Sequence, residues 1–350
     1  MHSRPTKHRL LLAAAVAAAL APGLAEAASQ TPTPGRSATV IAQRGVHQVY
    51  NREGVDNETC TASRLDEVRH DYIENSLPSI AAAFRAGADV VEVDVRATAD
   101  DHFVLFHDYE LECRTDGQGR VHRTTLSELK RLDIGHGYTA DGGRTYPLRG
   151  KGRGLMPTLE EALRAHPDRR FLIQFKDNHP RAAEAMVRYL EERQLADWDR
   201  LTFFGGPAAV GRLDQLRPAA DSWSDKAAVR CTRDYLLTGW FGRVPRSCKG
   251  GTFFLPINLR VLVWGWPHRF LERMRRNDTR VIALGQVEGS GGTDFSRVDT
   301  IQQLNRLPPS YAGQIWTDRI ELIGPAAERR FGAVGPVRGP APTQRPRSPS

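Results

Sequence analysis

Gly87-Ala88-Asp89-Val90-Val91-Glu92-Val93-Asp94-Val95 is the stretch on which the fold turns. From Val90 to Val95 the residues alternate, with Val90, Glu92 and Asp94 on one face and Val91, Val93 and Val95 on the other. That period of two, in a β-branched run, is a strand. Two carboxylates then point the same way. In the crowded interior of a parallel barrel, unpaired acids would be costly. Near the C-terminal end of a strand they make sense as oxygen ligands of a hard divalent cation. A solvated edge pair, or an ion pair with Lys176, is the alternative.

Working outward, short β-branched runs alternate with amphipathic ones. Ser37–Ala42, Phe103–Phe106, Phe171–Phe175, Leu201–Phe204 and Gly313–Trp316 read as strands, and Phe253–Ile257, Leu259–Trp264 and Val281–Leu284 are further apolar runs. Leu77–Ala86 follows an Asn75-Ser76 cap with Leu77, Ile80, Ala81, Ala83 and Phe84 at helical spacing. Thr125–Leu132, Thr158–Ala165 and Ala182–Arg193 are further helices, and Gly135–Gly154 is a glycine-rich irregular excursion. Repeated strand–helix alternation argues a parallel sheet with helices outside, and roughly eight such units fit an α/β (β/α)8 TIM barrel. An open doubly wound sheet is the runner-up, but no Gly-rich dinucleotide fingerprint follows any strand.

The ends read differently from the body. Arg4, Lys7 and Arg9, the apolar run Leu10–Ala21 and Ala25-Glu26-Ala27 form a secretory signal over residues 1–27, too short to span a bilayer as a helix. Residues 28–37 are a polar, proline-containing leader, 38–325 the folded body, and 326–350 a Pro/Arg/Gly-rich tail that lacks apolar periodicity and is expected to be disordered. Signal and tail carry most of the formal charge of +8, so the body demands no nucleic acid or other polyanion. Cys60, Cys113, Cys231 and Cys248 are an even number in a chain that reads as exported, and three pairings are open. The short loop favours Cys231–Cys248, which would leave Cys60–Cys113. A cysteine metal site is disfavoured, because no Cys-x-x-Cys is present.

Several strand ends carry groups able to do chemistry. Gln174 and Lys176 alternate on Phe171–Lys176, and a lysine there neutralises a phosphoryl oxygen or is an ordinary strand-end cation. His107-Asp108 follows Phe103–Phe106, where a histidine suits proton transfer near neutral pH or a purely structural role. Arg44-Gly45 closes the first strand, offering a guanidinium fork for phosphate and a glycine for close approach.

Taken in order, Gln43-Arg44-Gly45, Glu74-Asn75-Ser76, Gly87-Ala88-Asp89 with Glu92-x-Asp94, His107-Asp108, Thr115-Asp116-Gly117-Gln118-Gly119, Leu126–Leu129 and Gly313-Gln314-Ile315-Trp316-Thr317-Asp318 resemble the glycerophosphodiester phosphodiesterase family. The resemblance implies a PLC-like phosphodiesterase TIM barrel, a Mg2+ or Ca2+ ion, and hydrolysis of phosphodiesters bearing a glycerol-like alcohol. It makes Gly135–Gly154 the family's insertion over the site. By position, Glu92 and Asp94 become metal ligands and His107 one of two catalytic histidines. Glu74 and Asn75 border the site, and Lys176 contacts phosphate. Two positions depart from the pattern. Gln43 replaces the other histidine, and Gln174 the third acidic ligand. An amide oxygen still reaches a cation with one charge fewer, whereas Gln43 cannot shuttle a proton. His47 is a substitute to consider, although it lies in the loop beyond the strand end.

The expected function is an exported, metal-dependent phosphodiesterase acting on glycerophosphodiester or phospholipid-derived head-group esters. With one histidine, attack by the substrate's own hydroxyl and a cyclic phosphate product become attractive. Arg44 and Lys176 would stabilise phosphoryl charge and His107 would move the proton. The rival reading is an exported barrel that binds such head groups or a partner without turnover. No transmembrane segment is expected in the mature chain.

Overall fold

The β-branched and aromatic runs of the body form one nine-stranded sheet in the computed structural model, which describes residues 38–55, 59–287 and 295–332. The signal expected over 1–27, the leader over 28–37 and the tail from 333 on lie outside the described residues. The strands are β1 (Thr39–Ala42), β2 (Val90–Ala97), β3 (Phe103–Leu105), β4 (Arg170–Phe175), β5 (Leu201–Gly205), β6 (Asp221–Ser224), β7 (Thr252–Pro256), β8 (Arg280–Leu284) and β9 (Gln314–Thr317). Eight of them lie parallel in the order β6-β5-β4-β2-β1-β9-β8-β7, a nearly closed barrel, and β3 folds back antiparallel onto β2. Among the described residues no ladder joins β6 to β7.

Helices alternate with the parallel strands: α1 (Leu77–Arg85), α2 (Leu126–Leu129), α3 (Leu159–Ala165), α4 (Pro180–Glu192), α5 (Pro207–Leu216), α6 (Asp225–Thr238), α7 (His268–Arg276), α8 (Ile301–Leu304) and α9 (Ile320–Phe331). Their starts follow local chemistry. Thr125, Thr158 and Thr300 each cap the third backbone N–H of their helix, while Glu128, Glu161 and Gln303 answer to the cap's own N–H.

One side chain from each parallel strand fills the barrel: Ile41, Val90, Leu172, Phe204, Trp223, Phe254, Ile282 and Trp316. Strand alternation then sets which side chains reach the C-terminal mouth. If Val90 is inside, so are Glu92 and Asp94, and the β2–β4 register sets Asp94 against Gln174. The opposite faces, with Val91, Val93, Ile173 and Phe203, pack against the surrounding helices. The irregular chain between β3 and α3 has its own apolar core around Val104, Leu111, Leu129, Tyr138 and Leu148. Within it, the buried Asp133 carboxylate accepts from Gly135 N and Gly152 N, both at 3.0 Å, which replaces the missing secondary structure.

Three expectations change. The apolar run Leu259–Trp264 forms no strand; Ile257–Leu262 is a 3-10 helix that leaves Val261, Leu262 and Trp264 exposed. The strand β6 has a polar sequence, Asp-Ser-Trp-Ser, without the β-branched signal used to find the others. The folded body does not stop at 325. Helix α9 runs through Pro325 to Phe331 because Ala327 and Phe331 are buried, and apolar packing outweighs the missing N–H and the basic composition of the segment. The disorder expected from Ala326 therefore does not hold for 326–331.

The cysteines pair as Cys60–Cys113 and Cys231–Cys248. The second bridge fastens α6 to the segment preceding β7. Beside it, Thr232 Oγ1 lies 3.0 Å from both the N and the O of Phe254, serving the strand edge that β6 leaves unpaired.

Candidate active site

The site begins where β1 ends. At Gly45 φ is +83°, and a Cβ there would lie 2.3 Å from Ser79 Oγ and 2.8 Å from its carbonyl carbon, so only glycine lets the chain pass over α1. Arg44 and Asn75 hold left-handed backbone angles, φ 53° and 56°. For residues with a side chain that conformation costs on the order of 1–2 kcal/mol. Both are held by hydrogen bonds into the site. Arg44 N donates to Glu92 Oε2 at 3.1 Å, and Asn75 N to Arg44 O at 2.9 Å. Asn75 then clasps Asp94, its Nδ2 donating to Oδ2 at 2.9 Å while its Oδ1 accepts from Asp94 N at 3.1 Å.

Charges are packed closely. The Arg44 guanidinium pairs with Glu74 Oε1 at 3.1 Å and Asp94 Oδ2 at 2.9 Å. Lys176 Nζ lies 3.5 Å from Asp94 Oδ1 and donates to Gln174 Oε1 at 3.2 Å. The ion pair with Lys176, an alternative open from the sequence, is therefore formed. Burial alone would raise the Asp94 carboxyl, but Arg44, Lys176 and Asn75 hold it at about 2. Glu92 goes the other way. Burial and then the negative charge of Asp94 push its carboxyl well above the carboxylate range. Burial also lowers Lys176, against the pull of Asp94.

His107 is presented by the β3 turn-back. Its Nδ1 lies 2.6 Å from Asp108 Oδ1, and Arg96 fixes its carbonyl from Nη2 at 2.7 Å. Burial, followed by the charges of Arg44 and Lys176, holds the imidazole well below its ordinary pKa. That depression favours the neutral, proton-accepting form. Asp108 is in turn gripped by Arg114 Nη1 at 2.7 Å, and the same buried guanidinium reaches Glu74 Oε1 at 3.3 Å and Thr61 Oγ1 at 2.7 Å. Arg114 thus ties Glu74 and Asp108 together, and the Cys60–Cys113 bridge sits beside it in the chain.

Gln43 does not stand alone at the first-strand position. Arg297 Nε donates to its Oε1 at 3.2 Å, and the guanidinium lies 4.3 Å above the Trp316 ring. Arg297 has no carboxylate within ion-pair distance among the described residues, and burial lowers its pKa. Asp225, one step beyond β6 on the parity of Trp223, is pushed up to about 6 by burial, with Arg297 and Lys176 pulling it back. The sequence pointed to neither Arg297, Asp225 nor Arg114. Asp225 was findable once β6 was placed, because its parity follows from Trp223. Arg297 and Arg114 have no local signal.

His47 is engaged elsewhere. It is buried, Nδ1 lies 2.8 Å from Gln48 O, and Nε2 faces Asp318 Oδ1 at 3.6 Å. Burial would lower its pKa, but Asp318 raises it above the usual value. A raised folded pKa stabilises the fold fully below the unfolded value near 6.5, and that contribution disappears as pH rises through the folded pKa. Urea unfolding at pH 6 and pH 9 should show lower stability at pH 9, with a smaller fall in His47→Gln. Equal falls in both proteins would remove His47 as the cause.

The residues able to hold a cation are Glu92, Asp94 and Gln174. Glu92 Oε1 and Asp94 Oδ1 are buried without a hydrogen-bond partner, and a cation would relieve both. Among the described residues no group of three or more His, Cys, Asp or Glu is arranged for a metal. The oxygens fit a divalent cation with reduced charge in the ligand set.

Residues 68–216 match the Glycerophosphoryl diester phosphodiesterase family. Over 180 residues the chain is 33% identical to the Probable glycerophosphodiester phosphodiesterase 1 of Mycobacterium tuberculosis, covering 49% of this chain and 61% of that protein. It is 32% identical over 128 residues to the Glycerophosphodiester phosphodiesterase of Bacillus subtilis, 35% of this chain and 42% of that one. The aligned regions thus span roughly half the length of these curated relatives. The fold is similar to the crystal structure of a glycerophosphoryl diester phosphodiesterase domain from an uncharacterized M. tuberculosis protein, with TM-score 0.59 and 16% identity over 84% of this chain and 99% of that one. A glycerophosphodiester phosphodiesterase from Agrobacterium tumefaciens gives TM-score 0.54 and 16% identity over 82% and 99%.

Proposed function

Because residues 68–216 match the glycerophosphoryl diester phosphodiesterase family, we propose that the chain is a member that cleaves phosphodiesters bearing a glycerol-like alcohol, with His107 as its working proton carrier. The observation that carries this reading is the convergence of Glu92, Asp94, Lys176 and a neutral, Asp108-held His107 on the C-terminal ends of β2, β3 and β4. That is the end at which barrels of this class carry their chemistry.

In this reading Glu92, Asp94 and the Gln174 amide oxygen hold a divalent cation, Mg2+ or Ca2+, which supplies Lewis-acid polarisation of a phosphoryl oxygen when bound. Arg297 neutralises phosphoryl charge, since its guanidinium has no carboxylate partner among the described residues and is aimed by Gln43. Lys176 assists from the Asp94 side. Arg44, committed to Glu74 and Asp94, shapes the site and holds those acids ionised. His107 accepts a proton from the attacking hydroxyl, and the imidazolium so formed returns it to the leaving alkoxide. With one proton carrier, attack by the substrate's neighbouring hydroxyl needs no separately positioned water, so a cyclic phosphate is the favoured product. Phospholipid-derived head-group esters fall within the same chemistry. Export belongs to this reading too, supported by two disulfides in a chain with four cysteines.

A second reading, binding of head groups without turnover, is favoured by one observation: the histidine position is filled by an amide held to an arginine. Phosphorus NMR of sn-glycero-3-phosphocholine and lysophosphatidylcholine, incubated with Mg2+, Ca2+ or Mn2+, separates the two. Turnover by the natural chain supports the enzyme. No turnover until Gln43→His is introduced, with substrate still bound by the natural chain, moves the conclusion to binding.

A further inference from the structure

Nine large apolar side chains stand exposed among the described residues, and six of them lie on two stretches of chain: Leu237, Trp240 and Phe241 at and just beyond the end of α6, and Val261, Leu262 and Trp264 before α7. Each of the six is between 52% and 72% exposed, far beyond what a packed surface residue shows. The two stretches are adjacent. Arg273 Nη1 donates to Gly239 O and to Tyr235 Oη, both at 3.3 Å, and Tyr235 Oη donates to Trp264 O at 2.9 Å. A Cβ on Gly242 would lie 3.4 Å from Arg273 Nη2, and one on Gly265 would lie 3.5 Å from its Nη1. One guanidinium therefore staples both stretches. The Trp240 and Phe241 rings pack on each other at 3.9 Å instead of turning back into the core.

The charge around this ridge has one sign. Residues 236–251 and 257–271 contain no aspartate or glutamate, and Arg243, Arg246, Lys249 and Arg269 among them are exposed. The acids that flank these stretches in the sequence are paired: Asp234 with Arg233 and Ser247, Glu272 with Arg275 and Arg276. Exposed tryptophans beside a cationic collar match the interface of an anionic bilayer, where aromatic rings sit at the headgroup level and basic residues meet lipid charge.

We infer that the Trp240–Phe241 and Val261–Trp264 ridge seats the protein on an anionic lipid surface. The rings enter the headgroup boundary while Arg243, Arg246, Lys249 and Arg269 contact acidic headgroups. None of these residues belongs to the site described above, and the inference does not depend on whether the chain turns over a phosphodiester.

The test is flotation of the full chain with vesicles of phosphatidylcholine alone and of phosphatidylcholine with 30 mol% phosphatidylglycerol, at low and high salt. The wild type should bind the anionic vesicles at least about tenfold more than the neutral ones, with the excess falling at high salt. Trp240→Ser combined with Phe241→Ser should lower binding by about tenfold. Reversing Arg243, Arg246 and Lys249 to glutamate should remove the preference for acidic lipid. All forms keep the same arginine-rich tail, so the difference reads the ridge and not the tail. Brominated lipid should quench wild-type tryptophan fluorescence more than that of the serine variant. Far-UV circular dichroism and turnover of soluble sn-glycero-3-phosphocholine should be the same in all forms, including equally absent if the chain is not an enzyme. Equal vesicle binding by wild type and the serine variant overturns the inference, as does failure to bind anionic vesicles at low salt. Light scattering that shows a dimer dissolved by the same substitutions also overturns it, and assigns the ridge to contact between copies.

Discussion

His107→Ala is expected to lower kcat/KM for a glycerophosphodiester by about 10²–10⁴-fold, the range general acid–base assistance supplies. The loss should fall on kcat, because in the proposed mechanism the imidazole acts on the proton while Arg297 and Lys176 bind the phosphoryl group. Two observations make His107 the residue to remove. Asp108 orients it through Nδ1 at 2.6 Å, and burial, helped by the cations around it, holds it well below the ordinary histidine range. A base must be deprotonated to work, so wild-type activity should persist below pH 6.5 and fail only as pH drops through that depressed value. Steady-state rates for the wild type, His107→Ala and Asp108→Asn at several pH values check both points. Retention of activity within threefold in His107→Ala would assign the proton to another group, and Asp225, pushed up to about 6, would be the next to replace.

The second large effect concerns stability. Arg114→Met should destabilise the fold by about 3–5 kcal/mol, the cost of deleting one partner from a buried ionic cluster. Its guanidinium serves Asp108, Glu74 and Thr61 at once, and methionine would leave both acids buried with part of their charge unanswered. Arg44 still reaches Glu74, so Asp108 would suffer most. Arg114→Lys should recover only part of the loss, since an ammonium cannot span three acceptors as a planar fork does. Urea unfolding monitored by tryptophan fluorescence gives the difference, and a change below about 1 kcal/mol for the methionine variant would refute the hub. Because Asp108 carries His107, the folded fraction of Arg114→Met should also turn over more slowly than wild type.

Legibility in the sequence tracked the periodicity of each element. Val90–Val95 announces its inward acids because a period of two leaves them nowhere else to point, and β2 places Glu92 and Asp94 as that reading requires. Leu77–Ala86 was legible from its cap and apolar spacing. The strand β6 was not, because Asp-Ser-Trp-Ser contributes one inward tryptophan between polar neighbours and has no β-branched residue. The end of the body was misplaced because Pro325 and two arginines outweigh, in composition, the apolar Ala327 and Phe331 that hold α9 down. The site shows the same division. His107, Lys176 and Arg44 stand at strand ends and could be named. Arg297 meets Gln43 across 254 positions of chain, and Arg114 meets Glu74 across 40. Pairings set by the closure of the barrel leave no trace in either local segment.

Among the described residues no ladder joins β6 to β7, which gives this barrel a mechanical character that a fully hydrogen-bonded ring would not have. It is a rolled ribbon whose two free margins are clasped by α6, through the Thr232 hydroxyl and the Cys231–Cys248 bridge. A hoop changes its bore only by breaking rungs, whereas a clasped ribbon can do so by slackening the clasp. Asp225 sits on one lip of that opening, at the first turn of the helix that forms the clasp. The Cys231–Cys248 bridge holds α6 at the start of β7, and the Thr232 hydroxyl holds it at Phe254 further along the same strand.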